Sequence, residues 1–204
     1  MTENFDDIRP YNEKEASEAF RRLMDDKRFQ NAIGQCVPYY QNIDVLRQEF
    51  DNFKSIDDMQ AVFDKRFMDA FLRQFSTGQT LSGIENIDPN KAYLYIANHR
   101  DITFDSAMLE YYCFITKRKT TKIAIGDNLI ATPLLADVAR CNKMFLVKRS
   151  GSLREKLTNY QHLSAYIQYS LFEENESVWI AQRDGRTKDG YDYTKQGLIK
   201  MTSM

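Results

Sequence analysis

The chain is 204 residues long, 43% hydrophobic and 28% charged, which suits one sizeable core with a helical appendage and excludes an intrinsically disordered segment. A net charge of -1 and a pI near 6.2 lack the basic balance of nucleic-acid binders, so no nucleic-acid partner is expected. Three widely spaced cysteines (Cys36, Cys113 and Cys141) without a CxxC pair suit a reduced, intracellular protein rather than a disulfide framework.

The start, Met1-Thr2-Glu3-Asn4-Phe5-Asp6-Asp7, is acidic and lacks the apolar segment of a secretory signal. No run free of Asp, Glu, Lys and Arg reaches the roughly 20 apolar residues of a membrane span, so integral insertion is not expected. Residues 1–76 read as an N-terminal helical region. Ala16, Phe20, Leu23 and Met24 lie at helical spacing between Glu13 and Ile33, with a break predicted around Gly34 and Pro38. Val45, Leu46, Phe50, Phe53, Ile56, Met59, Val62, Phe63, Phe67, Phe71 and Phe75 then recur in steps of three and four, as in one or two amphipathic helices. Such a stripe reads first as a cap packed on the main core; the functional alternative is a surface that meets lipid or an acyl chain.

Residues 77–204 alternate short strand-like runs with helices. A turn at Asp88-Pro89-Asn90-Lys91 leads into a strand over Ala92–Ala97. A helix over Asp105–Ile115, a strand over Lys122–Ile125 ended by Gly126-Asp127-Asn128, and a helix with Thr132 as N-cap and Pro133 in its first turn follow. Next come a strand over Lys143–Val147, a helix opened by the Ser152-Leu153-Arg154-Glu155 capping box, and a strand over Ser177–Ala181. The alternation predicts an α/β fold, a mostly parallel sheet flanked by helices. His99, Asp127, Arg149 and Asp184 each follow a strand, so they fall near the carboxyl edge where such sheets bind ligands.

His99 is one of two histidines, and Asp101 and Asp105 lie close by. A strand-end histidine whose tautomer is fixed by a carboxylate is what general-base catalysis requires. The competing reading is a loop histidine beside a helix-capping aspartate. On one continuous helix, residues six apart sit about 240° round the axis, so His99 and Asp105 can meet only across a turn. A metal site is not expected. Asn98-His99-Arg100-Asp101 with Gly126-Asp127-Asn128 superficially resembles metallophosphoesterases, but the only other histidine is His162, in an amphipathic helix.

The run Ser82-Gly83-Ile84-Glu85-Asn86-Ile87, then Ala92–Ala97 and Asn98-His99-Arg100, resembles the opening of the glycerolipid and lysophospholipid acyltransferase superfamily. That family shows Gly-x-Glu-Asn, a hydrophobic strand, and Asn/Ser-His-x4-Asp. Leu146-Val147-Lys148-Arg149 is similar to its second block, and Trp179-Ile180-Ala181-Gln182-Arg183-Asp184-Gly185-Arg186-Thr187 approximates its third, Pro-Glu-Gly-Thr-Arg-Ser. The likeness runs from about Thr77 to Lys188, within an acyltransferase-like core assigned to 77–204.

The chain departs from that pattern at three places. Five residues rather than four separate His99 from Asp105, which leaves Asp101 as a rival partner. Asp184 stands where the family has Glu, and Arg186 comes one position early. The family's fourth block would follow Gly197-Leu198-Ile199-Lys200, but the sequence ends at Met204, so a fragment of a longer protein is expected.

The resemblance implies a transfer of a fatty acyl group from a thioester to a hydroxyl or amine of a glycerolipid-like acceptor. It makes His99 the base and Asp105, or alternatively Asp101, its orienting carboxylate. Main-chain N–H groups near the following helix are expected to hold the oxyanion. Arg100, Arg149, Asp184, Gly185 and Arg186 are then the substrate-binding residues, although Arg149 reads equally as a solvated strand-end charge. No cofactor is expected to be bound. The co-substrate is acyl-ACP or acyl-CoA, and the implied partners are acyl-carrier protein or a coenzyme A thioester, a lipid acceptor and a membrane surface. The implied location is cytoplasmic and peripheral on the inner membrane face. The alternative is a non-catalytic acyltransferase-like domain that binds lipid or a protein partner.

Overall fold

The structure is a computed structural model that describes residues 4–53 and 55–203, without the side chains of 62–64. The acidic start at Met1–Glu3, the side chains of Val62 and Phe63 in the second apolar run, and Met204 lie outside the described residues.

Asn12 opens helix α1 (Glu13–Asp25) with a capping box: its side chain accepts from the Glu15 N–H at 3.0 Å, and Glu15 accepts from the Asn12 N–H at 2.8 Å. Asp26 ends α1 and caps α2 (Lys27–Cys36) by accepting from the Arg28 N–H at 2.8 Å. The predicted break around Gly34 and Pro38 falls where α2 ends at Cys36, and a further break, not predicted, lies at Asp26. The helix turns at Asp26, Gly34 lies inside α2, and Pro38 begins a short 3-10 turn over Pro38–Gln41. The second apolar run is two helices, α3 (Ile43–Asn52) and α4 (Ile56–Phe75), capped by Asn42 and Ser55. Ala16, Ala19, Leu23, Ile33, Tyr40, Leu46 and Met59 are buried together in one cluster.

Beyond a 3-10 turn at Ile84–Asn86, strands alternate with helices. Strand β1 (Leu94–Ala97) leads to α5 (Phe104–Ile115), β2 (Lys122–Gly126) and α6 (Pro133–Cys141). Strand β3 (Met144–Val147), α7 (Leu153–Phe172), β4 (Val178–Ala181) and α8 (Gln196–Thr202) complete the order. Thr132 caps α6, and the Ser152–Glu155 capping box opens α7. Helix α8 occupies the Gly197–Lys200 run and has no counterpart among the predicted elements.

Among the described residues the sheet has four strands in the order β1-β4-β2-β3, and every pairing is parallel. Leu94 pairs with Val178, Ile123 with Trp179 and with Met144, and Gly126 with Val147. The fold is α/β, with all four strand ends at one edge. Phe145, Val178 and Ile180 pack with Leu163, Tyr166 and Ile167 of α7 and Met201 of α8. Trp179 lies between Val178 and Ile180, so it faces the other side of the sheet.

The N-terminal region closes on this sheet at several places. Phe5 and Ile8 join the sheet core, and the Leu146 N–H donates to the Ile8 carbonyl at 2.9 Å. Phe71 of α4 stacks on Phe104 of α5 with ring centroids 3.8 Å apart. Arg22 of α1 grips buried Asp137 of α6 through two bonds of 2.8 and 2.7 Å, and the Tyr11 hydroxyl donates to the same carboxylate at 2.9 Å. Among the described residues no helix is long and apolar enough to cross a membrane.

Candidate active site

Parallel pairing brings the ends of β1, β4, β2 and β3 side by side, and the residues beyond them form the site. His99 lies two residues past β1. Its Nδ1 is 2.9 Å from Asp105 Oδ2, and its ring meets the buried Trp179 ring edge-on with centroids 5.9 Å apart. Asp105 belongs to the first turn of α5, where the helix dipole favours a carboxylate.

The same Asp105 oxygen accepts from the main-chain N–H groups of Arg100 at 2.6 Å and Asp101 at 3.0 Å. With these donors converging on it, Oδ2 is an acceptor, and His99 presents Nδ1–H to it. That tautomer leaves the lone pair on Nε2, for which no described residue supplies a hydrogen-bond partner.

Asp101 faces elsewhere. Its Oδ1 accepts from the N–H groups of Thr103 at 2.8 Å and Phe104 at 2.9 Å, an aspartate turn that starts α5. These two bonds hold its carboxyl below the ordinary carboxylate pKa. Of the two carboxylates, Asp105 lies against the imidazole and Asp101 against the helix start. The N–H groups of Arg100, Asp101, Thr103 and Phe104 are all occupied by these carboxylates, so an oxyanion would draw its donors from other groups.

The loop after β4 wraps over the end of β1. Val178 N donates to Tyr93 O and Gln182 N to Ala97 O, each at 2.9 Å, but His99 O is reached by Thr187 N, at 2.6 Å. The offset between partners grows by three at His99, so Asp184-Gly185-Arg186 stands out from the ladder as an extra turn. Gly185 makes that turn with φ +68, a conformation that disfavours side chains with a Cβ. Farther along, Asp192 Oδ2 accepts from Asn98 Nδ2 at 3.0 Å and pairs with the Arg100 guanidinium.

A family model described as Acyltransferase matches residues 79–202, more than half of the chain. The chain belongs to the acyltransferase family. Comparison with curated proteins gives no match.

Within this acyltransferase the predicted residues fall into two groups. His99, Arg100, Asp101 and Asp105 share one turn, and the charge of Arg186 acts on Asp101. Arg149 and Asp184 line a separate cavity of about 370 Å³ with Arg183 and Lys195, against apolar walls that include Val147, Leu163, Ile180 and Met201. His99 is not among its lining residues. Asp184 is exposed and ion-paired with Lys195. A hollow of about 740 Å³ lies a strand's length away, at the opposite edge of the sheet. Its lysines, Lys122 and Lys143, are paired with Glu174, Asp57 and Glu176.

Three residues of the site had no role assigned from the sequence. Gly126, the last residue of β2, lets the Arg149 side chain lie across it. A Cβ there would stand 2.9 Å from Arg149 Nε and 2.6 Å from Asn128 Oδ1. A glycine ending a strand is the legible signal for such a close approach. Trp179 and Asp192 carry no local signal, because their contacts with the His99 segment span the length of the core.

Proposed function

We propose that this acyltransferase moves a fatty acyl group from an acyl thioester, on coenzyme A or acyl-carrier protein, to a hydroxyl or amine of a glycerolipid-like acceptor. The observation that carries the reading is the His99–Asp105 contact at 2.9 Å beside an Nε2 without a described partner. Nε2 takes the acceptor's proton as its oxygen or nitrogen attacks the thioester carbonyl carbon. The tetrahedral oxyanion then collapses, the carbon–sulfur bond breaks, and the imidazolium returns the proton to the departing thiolate. Asp105 holds the ring and stabilises its charged form between the two transfers.

Arg149 supports the acceptor half of the reading. Its guanidinium has no side-chain hydrogen-bond partner among the described residues and lies beside the apolar cavity, as an anionic headgroup with an acyl tail would require. Lipid access is supported by the loops that follow the four strands. They expose Ile102, Leu129, Leu153 (88% exposed), Tyr191 and Tyr193. Residues 98–103, 127–132, 148–157 and 182–195 carry nine Lys and Arg against six Asp and Glu, whereas the whole chain is at -1. An edge that is apolar and locally basic suits the inner, anionic face of a membrane.

The test offers acyl-coenzyme A and acyl-carrier protein to the protein with lyso-phospholipid, glycerol phosphate and acylated amino acid acceptors, and detects products by mass spectrometry. Transfer by the parent and its loss in His99→Ala is the expected result. No transfer with any pairing, or full transfer by His99→Ala, overturns the reading.

A further inference from the structure

We propose that Asp192, far along the chain from the histidine, is a positioning residue that fixes the orientation of His99. In an extended segment, residues i and i+2 project to one side and the residue between them to the other. Asn98 and Arg100 both reach Asp192 Oδ2, whereas His99 reaches Asp105 and Trp179. The imidazole is thereby presented on one side of a short segment that is pinned on the other. The third tie is the Thr187 N–H on the His99 carbonyl at 2.6 Å.

The pin is itself anchored. Arg183 donates to the Tyr191 carbonyl at 3.5 Å and lies over the Tyr193 ring at 4.9 Å, so both neighbours of Asp192 are held by one side chain. Lys195 closes the loop through Gln182 O at 2.9 Å and through its ion pair with Asp184. Asp192 is an exposed residue whose side chain is partly covered, so the pin works through the geometry of its two contacts rather than through burial. It touches no part of the ring that would meet substrate, so its effect on the reaction passes through the backbone of residues 98–100.

The proposal rests on His99 being the base, and its test keeps the two separable. The chain has two histidines, so imidazole NMR signals in a His162→Asn background belong to His99 alone. The expected parent spectrum shows a single Nδ1–H tautomer. Asp192→Ala and the near-isosteric Asp192→Asn are expected to blur that signature into a tautomer mixture. They should also lower kcat at least about 10-fold with acceptor KM within about twofold, since misplacement by about 1 Å costs up to 10²-fold. Asp192→Asn, which preserves volume, is the variant to read if Asp192→Ala melts earlier.

An unchanged His99 spectrum in Asp192→Asn overturns the proposal, whatever happens to the rate. A changed KM at constant kcat also overturns it, because Asp192 would then act on substrate binding by Arg100. Loss of activity in the parent itself counts against the base and leaves the spectrum as the arbiter of Asp192.

Discussion

Asp105 Oδ2 is 2.9 Å from His99 Nδ1, although five residues separate them, and the main-chain N–H groups of Arg100 and Asp101 converge on that oxygen. The fifth residue between His99 and Asp105 is absorbed in the Asp101 turn, which also starts α5. Asp105→Asn keeps the shape but offers an amide where three donors need an acceptor. It is expected to lower kcat by about 10²-fold or more in the acyl-transfer assay, the range seen when a base loses its orienting partner.

Asp101→Ala acts on a different link. It removes the acceptor for Thr103 and Phe104, a loss of about 1 kcal/mol at a helix start. The expected outcome is a lower denaturation midpoint with kcat retained within severalfold. A dead Asp101→Ala beside an active Asp105→Asn would falsify the assignment of the two carboxylates.

Gly126→Ala examines the second half of the site. The new methyl would meet the far ends of Arg149 and Asn128, flexible groups that swing away, so little stability is lost. The displaced guanidinium should raise KM for an anionic acceptor severalfold while kcat changes little. Arg149→Lys should mimic it, since an ammonium lacks the planar fork. Equal KM values in all three proteins would remove Arg149 from the acceptor site.

Much of this fold was legible in the sequence because its strands are short apolar runs bounded by turn residues. Ala92–Ala97 and Ser177–Ala181 each contain an observed strand, β1 (Leu94–Ala97) and β4 (Val178–Ala181). Helical periodicity located α1 and α2 together but missed the break at Asp26, because the apolar spacing runs across it while the capping aspartate is a single residue. Helix α8 went unseen because seven residues with one buried side chain, Met201, show no period. Strand order was also invisible. That β4 lies between β1 and β2, and so brings Trp179 and Asp192 to His99, depends on packing between residues about 80 to 90 apart in sequence.

Arg22→Ala should unfold the protein more easily without touching the site. Asp137 is buried, and among the described residues Arg22 supplies two of its side-chain hydrogen bonds and Tyr11 a third. Removing the guanidinium leaves a buried carboxylate with one neutral donor, which costs about 2–4 kcal/mol. Chemical denaturation should show that loss, and the double variant Arg22→Ala with Asp137→Ala should recover part of it. If the single variant is as stable as the parent, the ion pair does not clamp α1 to α6.

Asp7 predicts a pH dependence whose sign can be worked out. Burial pushes its carboxyl up, but hydrogen bonds and charge from Lys148 and His162 outweigh that and leave the pKa below the ordinary value of 3.8. A carboxylate depressed in the folded state adds stability above pH 3.8, and that stability is lost as pH falls through the lower folded value. The pair is half-exposed, so its share is about 0.5–1 kcal/mol, or about 1–3 °C in a chain of this size. Asp7→Asn should therefore melt about 1–3 °C below the parent at pH 7. The gap should close as pH falls below 3.8 and the parent's own carboxylate becomes neutral. Melting curves from pH 7 to about pH 3 test this: a gap that stays constant across the range would mean that Asp7 tethers the N-terminal segment through shape rather than charge.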